Sequence, residues 1–341
     1  MKKDRQEPRI ENVYQLEGRV PVAKAIPFGL QHVLTMFVAN IAPLIIIASV
    51  AVYNGQPFTV IETARLLQNC MLIAGIGTML QLYPVWKIGS GLPVVMGLSF
   101  TFLAACMTAA SQDYGVMVGA IIVGGVFEGI LGLTAKYWRK IISPILSFCL
   151  VFIVSAVETI GDTTATCTGG LGRDITDKEI SGSLCVDGFA SALSGGVFGC
   201  SPITSFSQNV GLISMTHVVN RFTIMFGALA MILGGLFPPI GAFFTTLPDC
   251  VLGGCTVIMF GSIMMSGIRM MQDAGLDQRS VLIAATSLCL GVGVTQVEGF
   301  FDNLPPVFGK IFAGNMVAGV FVVGLILELC LPKDPKRYET R

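Results

Sequence analysis

The residues best placed to do chemistry are two carboxylates four positions apart, in Val157-Glu158-Thr-Ile-Gly-Asp162. On a helix this spacing puts both on one face. A two-carboxylate face inside an apolar stretch suits proton or cation handling, because ionisable groups are too costly there to be incidental. Asp162 fits equally the polar end of its stretch. His32, beside Gln31, reads either as a satisfied core histidine or as the partner of a carboxylate. Glu128 reads as a helix–helix hydrogen bond. Asp187 opens a run of small residues and reads as an N-cap or as a proton-binding group.

Two segments could bring a ligand to these groups, and both break a helical pattern in the same way. In Gly89-Ser-Gly-Leu-Pro93-Val-Val-Met-Gly-Leu-Ser99-Phe100, a proline and β-branched residues interrupt an apolar stretch that resumes after Phe100. In Phe198-Gly-Cys-Ser-Pro202-Ile-Thr-Ser-Phe206-Ser207-Gln208-Asn209, a proline again precedes a short extended run and a new helix start. Irregular backbone at membrane depth is tolerated only where it is buried in protein or lines a cavity. A pair of such segments points to a transporter's binding site, with half-helix N-termini offering free N–H groups to a ligand. Two kinked helices without a ligand are the alternative.

The elements that must carry these residues are membrane helices. Of 341 residues, 53% are hydrophobic and only 12% charged, about half the charge of a soluble domain. Charges concentrate in the first 24 residues and the last eleven. No Asp, Glu, Lys or Arg occurs in 25–51, 66–86, 88–112, 188–216, 222–248, 250–268, 280–297 or 311–327; 114–135 holds only Glu128 and 141–161 only Glu158. At about 20 residues per crossing, and with 188–216 counted as two pieces, this makes about eleven membrane elements. The expected fold is an all-α polytopic membrane protein. The 40 glycines, with Gly125-x-x-x-Gly129 and Gly195-x-x-x-Gly199 among them, fit closely packed helices.

Several classes drop out. A net charge of zero without a Lys/Arg stripe gives nucleic acid no footprint. The ten cysteines are scattered singly and read as inert thiols, although Cys167 and Cys185 could face each other across a polar loop. The charged N-terminal stretch has no signal-peptide pattern, so the first span is expected to remain. No Gly-x-Ser-x-Gly, His-Glu-x-x-His, Cys-x-x-Cys or Gly-x-Gly-x-x-Gly is present, which argues against an enzyme. No ring-forming acidic or carbonyl-filter motif supports a channel. No metal or cofactor is implied.

Gln208-Asn-Val-Gly-Leu-Ile-Ser-Met-Thr216-His217 resembles the signature of the nucleobase-ascorbate transporter family, His217 departing mildly at its last position. Gln31-His32, the Gly-Leu-Pro-x-x-x-Gly-x-Ser-Phe stretch ending at Phe100, Glu158-Thr-Ile-Gly-Asp162 and Asp187-Gly188 match in order, so the resemblance covers essentially the whole chain. It implies an inverted repeat of seven plus seven spans, with two short β-strands in broken helices, and a core domain that moves against a gate. The substrate carboxylate falls on Glu158, the tenth-span amide on Gln208 with Asn209 adjacent, and the third-span aromatic on Phe100. Ser99, Phe206 and Ser207 flank them. The ninth-span acid falls on Asp187 and the first-span histidine on His32; with Asp162 these form the expected proton-coupling or supporting group. A xanthine-like ring offers adjacent N–H donors to one carboxylate and mixed edges to a glutamine amide, while Phe100 covers its face. Gln at the first signature position resembles purine carriers, which implies xanthine or uric acid, with H+ or Na+ as co-substrate. Uracil or another nucleobase is the alternative.

One departure is large. Ile141-Ile-Ser-Pro144 runs directly into a stretch resembling the eighth span, so the fifth to seventh spans are missing. The resulting division is a cytoplasmic tail at 1–24, core at 25–140 and 141–248, remaining gate at 249–331 and a tail at 332–341. The family topology implies a multi-pass protein of the plasma or inner membrane with both termini cytoplasmic, and a homodimer through the gate. Basic residues test this. Counted from Lys2, Lys3, Arg5, Arg9, Arg19 and Lys24, the segment 163–188 lies outside; counted back from Lys333, Lys336, Arg337 and Arg341 it lies inside. An odd number of missing spans resolves the conflict, and leaves open a carrier that binds purine without accumulating it.

Overall fold

A computed structural model describes residues 9–134, 150–246, 248–275, 277–297, 299–302, 312 and 316–332. Residues 1–8, the junction near Pro144, most of 303–315 and residues 333–341 lie outside the described residues. The chain forms two compact units, 1–144 with 155–270, and 145–154 with 271–341.

In the first unit, α1 (Val22–Val50), a two-residue hairpin of β1 (Val52–Tyr53) and β2 (Gln56–Pro57), and α2 (Val60–Leu82) lead to β3 (Met96–Leu98), α3 (Leu103–Gln112) and α4 (Tyr114–Leu133). Then come α5 (Leu150–Ala165) with a π-helical turn at Thr166–Gly170, α6 (Asp177–Gly196), β4 (Ile203–Ser205), α7 (Ser207–Thr216), α8 (Arg221–Leu236), α9 (Pro238–Thr245) and α10 (Asp249–Ala274), the last running past the unit's edge. Polar side chains set the helix starts. Thr59 with Glu62, and Thr176 with Glu179, form capping boxes on α2 and α6; Asp113 and Asn220 cap α4 and α8. The α6 box is braced by Arg173, whose guanidinium donates to both Glu179 oxygens at 3.0 and 2.5 Å.

Proline and glycine break the two irregular segments where the sequence places the breaks. Each yields a three-residue strand followed by a ten-residue helix. The strands pair antiparallel, with Met96 opposite Ser205, Gly97 opposite Thr204 and Leu98 opposite Ile203.

The helices close on one another through glycine. A Cβ on Gly188 of α6 would sit 1.9 Å from the Gly129 amide nitrogen of α4, and one on Gly125 would sit 2.5 Å from Ala192 nitrogen. Gly132 meets Cys185 and Gly195 meets Ile121, so α4 and α6 run antiparallel along their length. In the same way α2 and α8 meet through Gly75 against Ala228 and Gly235 against Leu72, also antiparallel, whereas Gly29 of α1 and Gly227 of α8 bring those two helices together in parallel. The pair α2·α8 thus matches α6·α4 when α1–α4 is exchanged with α5–α8. With the antiparallel strands, this is the internal signature of an inverted repeat.

The same directions have a topological result. Helix α6 opposes α4, and α5 opposes α6, to which it is joined by a short link; α4 and α5 therefore point the same way although they are successive. The connection between the end of α4 and the start of α5 falls outside the described residues.

Two expectations change. Asp187 is not an N-cap: α6 begins ten residues earlier at its Thr176 cap, because Glu179 supplies the reciprocal bond. The polar stretch at 163–188 is mostly helix, and Cys167 and Cys185 are buried free thiols on separate elements rather than partners across a loop.

In the second unit, α11 (Gln278–Gln296) and α12 (Met316–Cys330) pack where Gly291 meets Val320 and Gly319. Arg279 of α11 ties the far end, donating to the Glu328 carboxylate at 2.7 Å and to carbonyls of Glu328 and Pro332. Three helices, α1, α4 and α11, are long and apolar enough by composition alone to cross a membrane.

Gly188→Ala should destabilise the first unit by about 1–3 kcal/mol, since backbone rather than a movable side chain faces the added methyl. Thermal unfolding of purified protein, followed by size-exclusion fluorescence, measures this; an unchanged melting point would show that α4 and α6 can part without loss.

Candidate functional site

The site is built around the β3–β4 ladder, which must be hydrogen-bonded on its outer edges as well as between its strands. Side chains on the surrounding helices do this. Met96 N–H donates to the Thr78 hydroxyl of α2 (2.9 Å) and Leu98 N–H to Asn40 Oδ1 of α1 (2.8 Å). On the other edge, Ile203 N–H donates to the Ser191 hydroxyl of α6 (3.1 Å), which returns a bond to the Ile203 carbonyl (2.8 Å), and Ser194 donates to the Ser201 carbonyl (2.7 Å). Thr78 and Ser191 occupy equivalent helices of the two halves. The ladder is extended by Ser99 N–H to the Pro202 carbonyl and Phe206 N–H to the Val95 carbonyl, both at 3.0 Å. Gly97 is required beneath the Phe206 ring, which would lie 2.4 Å from a Cβ there.

Four carboxylates gather beside this ladder. Glu158, half-buried on α5, accepts from the Thr101 hydroxyl just beyond Phe100 at 2.7 Å. One turn on, Asp162 is buried and accepts from Ser205 at 2.8 Å and from Ser207 at 2.8 and 3.1 Å. It is an interior residue of α5 and not the polar end of a span. Asp187 accepts from the Thr159 hydroxyl and, at 3.1 Å, from Thr204. Glu128 of α4 is fully buried. The hydroxyls also join one another: Thr159 lies 3.1 Å from Thr204, and Ser205 lies 3.4 Å from Thr159. Asp187 and Asp162 are therefore ends of one chain of hydroxyl groups that runs through the strand β4.

The other residues expected at the site divide into two groups. Gln208 sits half-buried in the first turn of α7, and Phe100 is partly buried against the cluster of Met36, Val95 and Phe206. The Ser99 hydroxyl is buried with no partner among the described residues. The Ser99 hydroxyl is thus not committed to the fold. By contrast, Asn209 is committed to the fold: its amide nitrogen donates to the Pro93 carbonyl at 3.2 Å and its oxygen meets His32 Nδ1. His32 thus joins α1 to the start of α7 and bonds to an amide, not to a carboxylate. Phe206 and Ser207 likewise serve the ladder and Asp162.

Sequence reasoning passed over the hydroxyl donors: Thr101, Thr159, Thr204 and Ser205, and the edge partners Asn40, Thr78 and Ser191. The available signal was their density. Thr204-Ser205-Phe206-Ser207 lies within an uncharged stretch, where each hydroxyl needs a partner. Among the described residues no group of three or more His, Cys, Asp or Glu has the geometry of a metal site.

Paired strands in broken helices, half-helices converging from two inverted halves and buried carboxylates between them define an α-helical polytopic membrane transporter. A family model described as a permease family matches residues 23–146 and, in a second piece, 136–300. The chain belongs to that family, the nucleobase-ascorbate transporters. It is similar to the xanthine permease XanQ of Escherichia coli (24% identical over 444 residues, 94% of each chain) and to XanP of the same organism (23% over 457, 95% of each). The xanthine permease of Bacillus subtilis is 28% identical over 411 residues, covering 87% of this chain and 92% of that one. Each alignment is longer than the 341 residues of the chain, so each crosses positions of the relative that have no counterpart here.

Thr78→Val should leave the Met96 amide unpaired on the ladder's edge and cost about 1–3 kcal/mol, with Thr78→Ser restoring most of it. Paired thermal melts of the two variants check this; equal stabilities would mean that the edge is satisfied in another way.

Proposed function

We propose that the protein is a purine carrier of the cell membrane, binding xanthine or uric acid and moving it by symport with a proton. The observation that carries this reading is the Glu158 carboxylate, fixed by Thr101 one residue beyond Phe100, on the helix whose Asp162 accepts from Ser207 at the start of α7, next to Gln208. Such a set matches a xanthine-like ring: the carboxylate accepts from its N–H edge, the amide donates and accepts at another, and the aromatic ring covers a face. The names of the relatives support the same substrate class. Gln208 favours purine over uracil, and no cofactor or catalytic step is involved.

For coupling, a proton is preferred to Na+. Asp187 and Asp162 are held by hydroxyl groups alone, which donate to a carboxylate but also accept from a carboxylic acid. The connected hydroxyls of Thr159 and Ser205 supply a path in which an O–H bond breaks at one carboxyl as another forms at the next.

We further propose that this form lacks the family's fifth to seventh spans. The family model divides at 136–146, α4 and α5 point the same way, and basic residues counted from the two ends disagree; an odd number of spans inserted there would relieve all three. The core that binds substrate is then complete, while half of the gate against which it moves is not. Termini on the cytoplasmic side and a homodimer through the gate belong to this reading.

In a competition assay on purified protein, xanthine or uric acid should displace labelled xanthine while uracil and ascorbate do not, and Glu158→Gln should weaken binding by about 1.5–3 kcal/mol. Uracil competing as well as xanthine would defeat the purine assignment. Uptake of labelled xanthine into cells lacking their own carriers, at matched membrane expression, tests the second part: binding without accumulation is expected, and robust concentrative uptake would show that the shortened gate suffices.

A further inference from the structure

The proton-coupled reading uses Asp187 and Asp162 but leaves Glu128 unexplained. This carboxylate is fully buried, and among the described residues neither of its oxygens has a partner at hydrogen-bond distance. It stands where α4 and α6 cross closely, since a Cβ on Gly188 would lie 1.9 Å from Gly129 nitrogen and 2.6 Å from the carbonyl carbon of Glu128 itself. The contact sets Glu128-Gly129 of α4 against Asp187-Gly188 of α6, so the two acids occupy adjacent positions on facing helices and their charges repel. The Asp187 Oδ1 is also buried and unpartnered among the described residues.

Among the described residues no Lys or Arg is paired with Glu128 or Asp187. From α5, Ser155 faces Glu128 but directs its hydroxyl to Thr204 at 3.5 Å, and Glu158 adds a further negative group. Asp162 lies on the Asp187 side of the cluster. Helix α3 contributes Cys106 and no charged residue, and the β1–β2 hairpin contributes Tyr53 only. The described ion pairs of Arg173, Arg221 and Arg279 are made elsewhere. Two adjacent anions in such a place repel each other with nothing to offset them, as in carboxyl pairs that hold a single shared proton.

We propose that Glu128 and Asp187 hold one proton between them, resident on Glu128, so that Glu128 is a second proton-binding residue of the carrier and positions the charge of Asp187. The asymmetry follows from the contacts. Asp187 has two hydroxyl donors, Thr159 and Thr204, to stabilise its anion, whereas Glu128 has only the Ser155 hydroxyl beside it, outside hydrogen-bond distance. In the transfer, the O–H bond at Glu128 breaks as one forms at the Ser155 hydroxyl, whose own proton passes to Thr204 as that of Thr204 passes to Asp187, leaving the negative charge on Glu128 and the pair's total unchanged. When the pair loses its last proton, at high pH, the two anions stand beside Glu158 and oppose binding of a ligand there.

The inference deepens the proton-coupled purine reading, and its two tests separate the two. The first needs no substrate. Infrared spectra of the purified chain at neutral pH should contain the carbonyl stretch of a protonated, buried carboxyl that Glu128→Gln removes; in Asp187→Asn the same band should titrate away at a lower pH, because the anion that holds the proton in place is gone. A spectrum unaltered by Glu128→Gln overturns the proposal. The second follows xanthine binding against pH. Binding to the unaltered chain should fall at alkaline pH, and in Glu128→Gln, which cannot acquire the second charge, it should persist for about one pH unit further or more. An alkaline limb that does not move also overturns it, since a structural Glu128 would leave the profile in place. Glu128→Gln is near-isosteric, and a thermal melt equal to that of the unaltered chain shows that the fold is kept. If the unaltered chain binds no xanthine at any pH but shows the Glu128 band, the purine reading fails while the shared proton stands.

Discussion

A peptide group that leaves a helix inside a membrane must find its hydrogen bonds in the protein, because there is no water to supply them. The β3–β4 ladder meets this requirement with only three residues per strand. It has two edges and no third strand for either. Asn40, Thr78, Ser191 and Ser194 take the place of those strands, and each comes from a helix whose position is thereby fixed relative to the ladder. The half-helices α3 and α7 start where they do because the strands end there. Phe100 and Gln208 are thereby set just before α3 and in the first turn of α7, and the site inherits its geometry from the pairing of two short pieces of backbone.

Small residues make that arrangement reachable. Side chains such as Thr78 or Ser191 are short, and they reach a strand only if their helix lies close to it. The glycine contacts of α4 with α6 and of α2 with α8 draw the helices in, and van der Waals contact between backbones replaces the hydrophobic drive that lipid does not supply. The same closeness has an electrostatic consequence. At the Gly129–Gly188 crossing no large side chain separates the helices, so the neighbouring residues, Glu128 and Asp187, hold adjacent positions across it.

Much of this was readable in the amino-acid sequence, for definable reasons. Pro93 and Pro202 cannot donate to a helix ladder, so both breaks showed. Charge-free lengths located the spans, and the four-residue spacing of Glu158 and Asp162 gave their common face. Of the two readings of Asp187 the N-cap fails, because Gly188 and the small residues after it resemble a helix start whereas the true start depends on a capping box at Thr176 and Glu179. The ladder partners were missed for a different reason. Thr78, Ser191 and Thr204 lie inside apolar stretches, where a lone hydroxyl usually bonds back to its own helix, and only the tertiary arrangement shows that Ser191 reaches a strand and Thr204 an acid. His32 shows the limit from the other side: its type suggested a carboxylate partner, but Asn209 stands opposite it.

The choice of hydroxyls over cations as partners of the buried acids bears on what the site can do. An arginine beside Asp162 or Asp187 would stabilise the anion strongly and hold it in that state, since guanidinium only donates. Ser205, Ser207, Thr159 and Thr204 donate to the anion and, after rotation about one bond, accept from the acid, so neither protonation state is excluded by geometry. Such a group of acids can change charge without repacking. The strand β4 carries two of these hydroxyls, and its backbone is paired with β3, which leads to Phe100. A change of charge at Asp187 or Asp162 would therefore act on the same ladder that leads to Ser99, Phe100 and the start of α7, which is the physical link that the proposed coupling of proton and purine uses.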